Sequence, residues 1–200
     1  MKDTALVITG MGAVTPIGIG VPAYWKNLVN GACGVGPITR FDASDMAVRI
    51  AAEVRDFDPA AMLPHAVART TSAFMQYAFA AAEEALRDSG LDMAAVAAEP
   101  ERVGVVMGTA MDGVTTVART QDAFQASRTG KVSPHFVPMV IGNVAAAQVA
   151  IAHGLRGPSL TLNTACSAGG DALMTAAMLL LSGEADAVLA MGGESILCPI

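Results

Sequence analysis

Short apolar segments alternate with longer segments of helical pattern along this 200-residue chain, and this alternation is the feature that most restricts its fold. Most of the apolar segments are rich in β-branched residues or end at glycine, which is typical of buried strands. The predicted strands are 5–10, 47–54, 102–108, 159–164 and 187–191. The predicted helices are 22–29, 71–89, 112–126, 140–153 and 167–182. Because strands separated by helices pair in parallel, the sequence predicts a layered α/β fold with a largely parallel sheet.

Cys166 lies between the predicted strand 159–164 and the predicted helix 167–182. Because the unpaired N–H groups and the dipole of a helix N-terminus favour negative charge, this position favours the thiolate, which is the nucleophilic form of cysteine. The neighbouring side chains are small and would let a substrate carbonyl approach the sulfur: Ala165, Ser167, Ala168, Gly169 and Gly170. A buried structural cysteine is the alternative, since free cysteine is among the most buried residue types.

The three histidines offer partners for a nucleophilic cysteine, which commonly needs a base or an orienting imidazole. His65 and His135 lie beside prolines in predicted loops. His153 ends a predicted helix before Gly154, where a cation favours the helix C-terminus, so a structural role is favoured for it. Nothing in the sequence shows that one of the three assists Cys166.

The run Gly10-Met11-Gly12 is similar to the start of a dinucleotide-binding loop. However, Thr15 occupies the third glycine position, and Pro16 follows where a helix should begin. We therefore reject this motif, and we expect neither a cofactor nor a bound metal ion.

Composition restricts the partners and the compartment. The net charge of −6, without a basic stripe, argues against nucleic acid as a partner. Hydrophobic residues make up 53% of the chain and charged residues 15%, so most of it must be buried in a core or a subunit interface. We expect no membrane span and no signal peptide, because no apolar run reaches the required length and the first residues lack the pattern. Three cysteines without paired spacing, Cys33, Cys166 and Cys198, favour a reducing cytoplasm over a disulfide framework or a metal site.

A series of short motifs runs through the chain from one end to the other. They are Val7-Ile8-Thr9-Gly10-Met11-Gly12, Thr15-Pro16-Ile17-Gly18, Trp25, Phe74-Met75-Gln76-Tyr77-Ala78, Gly104-Val105-Val106-Met107-Gly108-Thr109, Ser133-Pro134-His135-Phe136-Val137-Pro138, Asn143, Gly154-Leu155-Arg156-Gly157-Pro158-Ser159, Thr164-Ala165-Cys166-Ser167 and Met191-Gly192-Gly193-Glu194. In this order the motifs resemble the N-terminal half of the β-ketoacyl-[acyl-carrier-protein] synthases, condensing enzymes of the thiolase superfamily, and among them the synthase II type. The resemblance implies a thiolase-like α/β fold, layered α-β-α around a mixed, mostly parallel sheet, with residues 1–200 as one N-terminal half-domain.

The resemblance also implies a reaction, the decarboxylative Claisen condensation of fatty acid or polyketide biosynthesis. Cys166 would take an acyl group from an acyl-carrier thioester, with its backbone N–H as an oxyanion donor. A malonyl thioester would then lose CO₂, and its carbanion would attack the acyl-enzyme. The family places a histidine pair, a lysine and a glycine-rich loop in a C-terminal half that these residues do not include. We therefore expect this chain alone to be inactive and to expose apolar surface where that half packs.

Substrate and carrier sites follow from the same resemblance. The acyl pocket would be lined by Thr109, Met111, Phe136 and Ala165. Met111 matches the position of an apolar gate, and a packed core methionine is the alternative. Arg69 and Lys131 would contact an acidic acyl carrier protein. Family members often carry more basic residues in both places, so this chain is expected to steer its carrier less strongly.

The expected assembly is a homodimer, because the small-residue helix within 140–152 suits close packing and the family dimerises through this region. Three alternatives stay open: a non-catalytic partner subunit similar to a chain-length factor, a thiolase that uses coenzyme A, and a structural dimerisation fragment. Cys166 argues against the first, since such subunits usually lack the nucleophile. The motifs around Cys166 and at 154–159 fit synthases better than thiolases.

Overall fold

Seven strands and nine α-helices occur in residues 5–127 and 132–199, the part of the chain that this computed structural model describes. In chain order they are β1 (Val14–Thr15), β2 (Gly18–Ile19), α1 (Val21–Val29), β3 (Val35–Pro37), β4 (Ile50–Ala52), α2 (Pro59–Met62), α3 (His65–Thr70), α4 (Ala73–Ser89), α5 (Met93–Ala98), β5 (Val103–Thr109), α6 (Val114–Ser127), α7 (Phe136–Val140), α8 (Asn143–His153), β6 (Ser159–Asn163), α9 (Ala168–Leu181) and β7 (Ala187–Gly192). Two short 3-10 turns lie before β5 and before α9, at Pro100–Arg102 and Ala165–Ser167.

The central sheet is parallel, with the strand order β6-β5-β7. Its register aligns Thr109 of β5 with Asn163 of β6, and Gly108 of β5 with Gly192 of β7, so all three strands end at one edge. Every residue of β5 is buried, which explains its continuous apolar sequence. The predicted α/β architecture with a parallel sheet is confirmed, and the antiparallel pairs β1-β2 and β3-β4 lie apart from that sheet.

Helices cover both faces of the central sheet. α9 packs on all three strands, whereas α4 packs on β7 and α8 packs on β5 and β6. Successive strand residues face opposite sides. Met107 belongs to the core cluster that includes Phe74 of α4 and Val149 of α8, while a Cβ on the next residue, Gly108, would meet Ala168 of α9. The arrangement is therefore α-β-α, and each large side chain fully buried in it contributes about 1.5–3 kcal/mol to stability.

Residues 5–10, predicted as a strand, form no strand in the structure. Ile8 is 76% exposed, and no strand among the described residues pairs with this segment. The chain instead approaches α4 just after it. A Cβ on Gly12 would lie 1.8 Å from a carbonyl oxygen of α4, and the Ala13 N–H donates to the Glu84 carboxylate at 3.0 Å. The strand prediction is wrong for the described chain because β-branched residues form a strand only where a neighbour accepts their hydrogen bonds.

Two predicted loops contain short helices. His65 begins α3 and Phe136 begins α7, each close behind a proline whose fixed φ suits the start of a helix. The predicted helix 140–153 is also divided, since α7 ends at Val140 and α8 begins at Asn143.

His153 ends α8 as predicted, and its contacts are structural. Its Nε2 lies 2.6 Å from Oε1 of Glu83 on α4. Its ring stacks on Phe79 with 6.4 Å between the ring centroids. The histidine therefore links α8 to α4 and forms an ion pair with Glu83 when the imidazole is protonated.

One helical segment, Ala165–Ser182, is long and apolar enough to cross a membrane by length and composition alone, contrary to the sequence expectation. One such segment is weak evidence of a membrane, because the core helix of a globular domain meets the same criteria. Ala168, Ala172 and Ala176 of α9 are buried, and α9 packs on the sheet. Its outer face is apolar and more than half exposed, with Leu173, Met174, Met178 and Leu181. Exposed apolar surface of the kind expected from the sequence is therefore present.

Two glycines give a matched test of the contact between β5 and α9. A Cβ on Gly108 would lie 2.1 Å from the Ala168 carbonyl oxygen, whereas a Cβ on Gly170 meets nothing within 4 Å. We expect Gly108→Ala to lower the free energy of unfolding by about 1–3 kcal/mol through overpacking. Gly170→Ala should raise it by about 0.5–1 kcal/mol, because alanine is the better helix former. Urea unfolding of both variants measures this, and equal effects would contradict the assigned contact.

Candidate active site

Cys166 lies in the 3-10 turn Ala165–Ser167, which joins the end of β6 to the start of α9. Ala165 has a φ of +56°, in the left-handed region that costs a non-glycine residue about 1–2 kcal/mol. Such strain persists only where the surrounding contacts hold the backbone in place. Cys166 itself is exposed, which contradicts the alternative of a buried structural cysteine.

Asp171 lies in the first helical turn of α9. Its carboxylate connects the residues on the two sides of the 3-10 turn that contains Cys166. Its Oδ2 accepts hydrogen bonds from Thr164 Oγ1 and, at 2.9 Å, from Ser167 Oγ. Ser167 Oγ also lies 2.9 Å from the Thr164 carbonyl oxygen. The hydrogen bond from Thr164, followed by that from Ser167, lowers the pKa of Asp171. The sequence alone does not indicate these contacts of Asp171, although an acidic residue in the first turn of a helix is a recognisable signal.

Glu194, two residues beyond β7, holds the loop that follows β5. Its Oε2 accepts the Ala110 N–H at 2.9 Å, the Met111 N–H at 2.6 Å and the Thr109 hydroxyl at 3.2 Å. Its Oε1 accepts the Ser195 N–H at 3.0 Å. One carboxylate therefore fixes the ends of two strands relative to each other. Its motif was recognised in the sequence, but no role was assigned to it.

Asp112 lies in the same loop, with a φ of +51°. Asn163 Nδ2, at the end of β6, donates to Asp112 Oδ2 at 3.4 Å, whereas Oδ1 is buried without a hydrogen-bond partner in the described residues. Burial, and next the charge of Glu194, raise the pKa of Asp112 above its ordinary value. Because the folded-state pKa lies above the unfolded one, ionisation of Asp112 opposes folding. The contribution of Asp112 to the free energy of unfolding decreases as the pH rises from its unfolded-state pKa to its folded-state pKa.

The predicted pocket residues fall partly at this edge of the sheet. Thr109 is buried at the end of β5, Met111 is 52% exposed in the loop after it, and Ala165 is exposed beside the thiol. The exposure of Met111 argues against a packed core methionine. Phe136 is half-buried at the start of α7, which packs on α6, the helix that follows the Met111 loop. The structure thus brings Thr109, Met111 and Ala165 to the same sheet edge, with Phe136 on a neighbouring helix.

The predicted carrier-binding residues lie elsewhere. Arg69 is exposed in the last turn of α3, and no hydrogen bond in the described part of the chain joins α3 to the Cys166 turn. Lys131 lies outside the described residues. Within residues 5–127 and 132–199, no three metal-ligating side chains come together.

The chemistry of the site follows from where the strands end. In parallel α/β sheets, ligands bind beyond the carboxyl ends of the strands. That edge holds an exposed thiol flanked by small residues, a loop fixed by Glu194 and the exposed side chain of Met111. A cavity of about 580 Å³ lies between residues 192–197, β4 and residues 12–16, but Cys166 does not line it. The thiol is open to solvent.

Comparison with known proteins defines the class. The family model described as "Beta-ketoacyl synthase, N-terminal domain" matches residues 3–200. The chain belongs to the β-ketoacyl synthase family, and the resemblance seen in the sequence is confirmed.

Two curated relatives share this match in sequence. The chain is 41% identical over 200 residues to 3-oxoacyl-[acyl-carrier-protein] synthase 2 of Coxiella burnetii (strain RSA 493 / Nine Mile phase I). It is 37% identical over 200 residues to 3-oxoacyl-[acyl-carrier-protein] synthase 2 of Synechocystis sp. (strain ATCC 27184 / PCC 6803 / Kazusa). Both alignments cover 100% of this chain and 48% of the relative, so the chain spans about half the length of the curated relatives it matches.

Solved structures share the fold. The ishigamide ketosynthase/chain length factor superposes with a TM-score of 0.81 and 31% identity, over 96% of this chain and 47% of that one. A second solved structure is a type II polyketide synthase acyl-carrier protein in complex with its ketosynthase bound to the hexaketide. It superposes with a TM-score of 0.79 and 26% identity, over 96% of this chain and 46% of that one. The thiolase-like α/β fold expected from the sequence is confirmed.

Proposed function

We propose that the protein containing this chain is a β-ketoacyl-[acyl-carrier-protein] synthase of fatty acid or polyketide biosynthesis, with Cys166 as its nucleophile. The observation that carries the proposal is the exposed thiol in a turn tied to the N-terminus of α9, at the carboxyl edge of a parallel sheet. Relatives named 3-oxoacyl-[acyl-carrier-protein] synthase 2, at 41% and 37% identity, support it.

In the proposed reaction, Cys166 Sγ attacks the carbonyl carbon of an acyl-carrier thioester, with the Cys166 N–H donating to the oxyanion. The bond between that carbon and the carrier sulfur breaks, and the carrier thiol leaves with the proton that Cys166 has lost. A malonyl thioester then loses CO₂, and its carbanion attacks the acyl carbonyl carbon. The new carbon–carbon bond forms as the bond to Sγ breaks, which returns the cysteine. Covalent capture thereby divides one difficult step into two.

We further propose that residues 1–200 are the N-terminal half of the catalytic domain and that the other half covers the outer face of α9. The matched relatives extend to about twice the aligned length, since the chain covers 48% of each. The apolar side chains on that face, such as Met178 at 62% exposed, need a cover in water. The exposed apolar segment 5–10 has a sequence typical of a strand, and no strand among the described residues pairs with it. The chain alone is then inactive in condensation.

Acylation of Cys166 tests the proposed function directly. Incubation of the full-length protein with an acyl-pantetheine thioester should add one acyl mass to the intact protein, and Cys166→Ala should abolish the addition. Iodoacetamide should modify Cys166 faster than Cys33 or Cys198. The Cys33→Ala and Cys198→Ala variants serve as matched controls that keep the nucleophile. Equal, slow modification of all three thiols without acyl transfer would contradict the assignment.

That negative outcome would favour the second candidate, a non-catalytic subunit similar to a chain-length factor. The solved match to the ishigamide ketosynthase/chain length factor, at 31% identity, is the observation in its favour. The presence of Cys166 is the observation against it.

We also propose a cytoplasmic location, because Cys33, Cys166 and Cys198 are all free. Retention of full-length protein in the cytosolic fraction checks the location.

We propose a homodimer that pairs through β6 and α8. β6 is an edge strand that pairs only with β5 among the described residues, and Leu160 on it is 42% exposed. Ile151 on the neighbouring α8 is 75% exposed. Sedimentation velocity of the full-length protein should give the dimer mass, and Ile151→Lys should shift it toward the monomer by placing a charge in an apolar interface. A wild-type monomer at micromolar concentration would contradict the pairing.

We propose that Arg69, with Lys131, contributes to docking an acidic acyl carrier protein. Arg69 is exposed, so its charge is available to a partner surface. Arg69→Glu should raise KM for the acyl carrier by about three- to tenfold, and added salt should reduce the difference. The rate with a carrier-free pantetheine thioester should stay unchanged. Arg87→Glu, at an exposed position on α4, is the matched control, and an equal rise in both variants would remove Arg69 from the docking surface.

A further inference from the structure

We propose that Asp171 is a positioning residue for Cys166, because its carboxylate accepts hydrogen bonds from both sides of the turn that presents the thiol. The proposal rests on the assigned role of Cys166 as the nucleophile. Asp171 does not touch the substrate in this proposal, since it acts through the side chains of Thr164 and Ser167.

The geometry points to a clamp on the Cys166 turn, formed by the Asp171 carboxylate and the hydroxyls of Thr164 and Ser167. Thr164 and Ser167 flank the pair Ala165 and Cys166, and both hydroxyls lie within hydrogen-bond distance of the same oxygen, Oδ2 of Asp171, with the single Ser167 proton shared between that oxygen and the Thr164 carbonyl oxygen. In the described residues, Thr164 Oγ1 has no other hydrogen-bond partner. Ala165 between them has the unfavourable φ of +56°, so the turn needs contacts that hold it. The clamp supplies these contacts from the first turn of α9, the helix that packs on all three strands of the central sheet.

The useful property of Asp171 is the acceptor oxygen and not the negative charge. A negative charge does not favour formation of a thiolate, so the charge by itself gives the proposed chemistry no help. The alternative is that Asp171 only stabilises α9, since an acidic residue in the first turn interacts favourably with the helix dipole. That role would change thermal stability and leave the reactivity of Cys166 as it is.

Two variants of equal charge separate these possibilities. Asp171→Asn and Asp171→Ala both remove the negative charge, but only asparagine keeps an acceptor oxygen for the two hydroxyls. In the full-length protein, we expect Asp171→Ala to lower the rate constant for acylation of Cys166 by an acyl-pantetheine thioester about tenfold or more. Asp171→Asn should stay within about threefold of wild type, with KM unchanged in both. Thr164→Val, which removes one donor, should fall between the two.

Asp45→Ala is the control, because Asp45 is exposed and its side chain makes no hydrogen bond among the described residues. If the Asp171→Ala variant is acylated at the wild-type rate but has a lowered Tm, the proposal is overturned, and Asp171 only stabilises the helix. Acylation by Asp171→Asn as slow as that by Asp171→Ala would also overturn it, since the acceptor would then not matter.

The rate constant of iodoacetamide alkylation at Cys166, measured at one fixed pH, distinguishes failure of this proposal from failure of the proposed function. A wild-type protein that takes no acyl group contradicts the function, yet its alkylation still reports on the turn. We expect Asp171→Ala to be alkylated at Cys166 more slowly than Asp171→Asn, because only asparagine still holds the turn that presents the thiol. Equal rate constants, measured against unchanged alkylation of Cys33, would overturn the clamp.

Discussion

The close approach of α9 to the central sheet is the constraint on which the rest of the structure depends. Gly108 on β5 leaves no room for a Cβ beneath the first residue of α9, and a Cβ on Gly192 of β7 would make a tight contact with Gly169, 3.1 Å from its Cα. Because α9 begins immediately after the Cys166 turn, these glycines determine where the thiol lies relative to the strand ends. A larger residue at Gly108 would displace the helix N-terminus and the turn together.

Carboxylates organise the site mainly as hydrogen-bond acceptors. Glu194 accepts hydrogen bonds from N–H groups in the loop after β5 and from the hydroxyl at the end of β5. Asp171 accepts hydrogen bonds from two hydroxyls around the Cys166 turn. A carboxylate has about four acceptor positions and can therefore join segments that are distant in sequence. Asp112 differs, because one of its oxygens is buried with no hydrogen-bond partner among the described residues and the charge of Glu194 is nearby. Two carboxylates at this edge of the sheet, Glu194 and Asp171, stabilise it through hydrogen bonds. The third, Asp112, is in a position that disfavours its ionised form.

The sequence predicted the parts of this site that depend on local pattern. Buried β5 and the turn before α9 follow from apolar runs and small residues, so the position of Cys166 was found correctly. Residues 5–10 were predicted wrongly because strand formation depends on a partner that no local pattern reports. The roles of Asp171 and Glu194 were missed because they arise from hydrogen bonds across a fold, and the identity of an acidic residue does not show what it accepts. The family resemblance identified the Glu194 motif but not its contacts.

The exposed face of α9 and the exposed thiol are two consequences of one arrangement. α9 starts directly after the Cys166 turn, so the outer residues Leu173 and Met174 lie within about two helical turns of Cys166. The proposed condensation through a carbanion requires water to be excluded, and the thiol in the described chain is open to solvent. Covering the apolar face and closing the site would therefore occur in one step, with the free energy of apolar burial driving the exclusion of water from the thiol. The proposed interface within a domain would account for the apolar composition of α9, which also meets the membrane criterion.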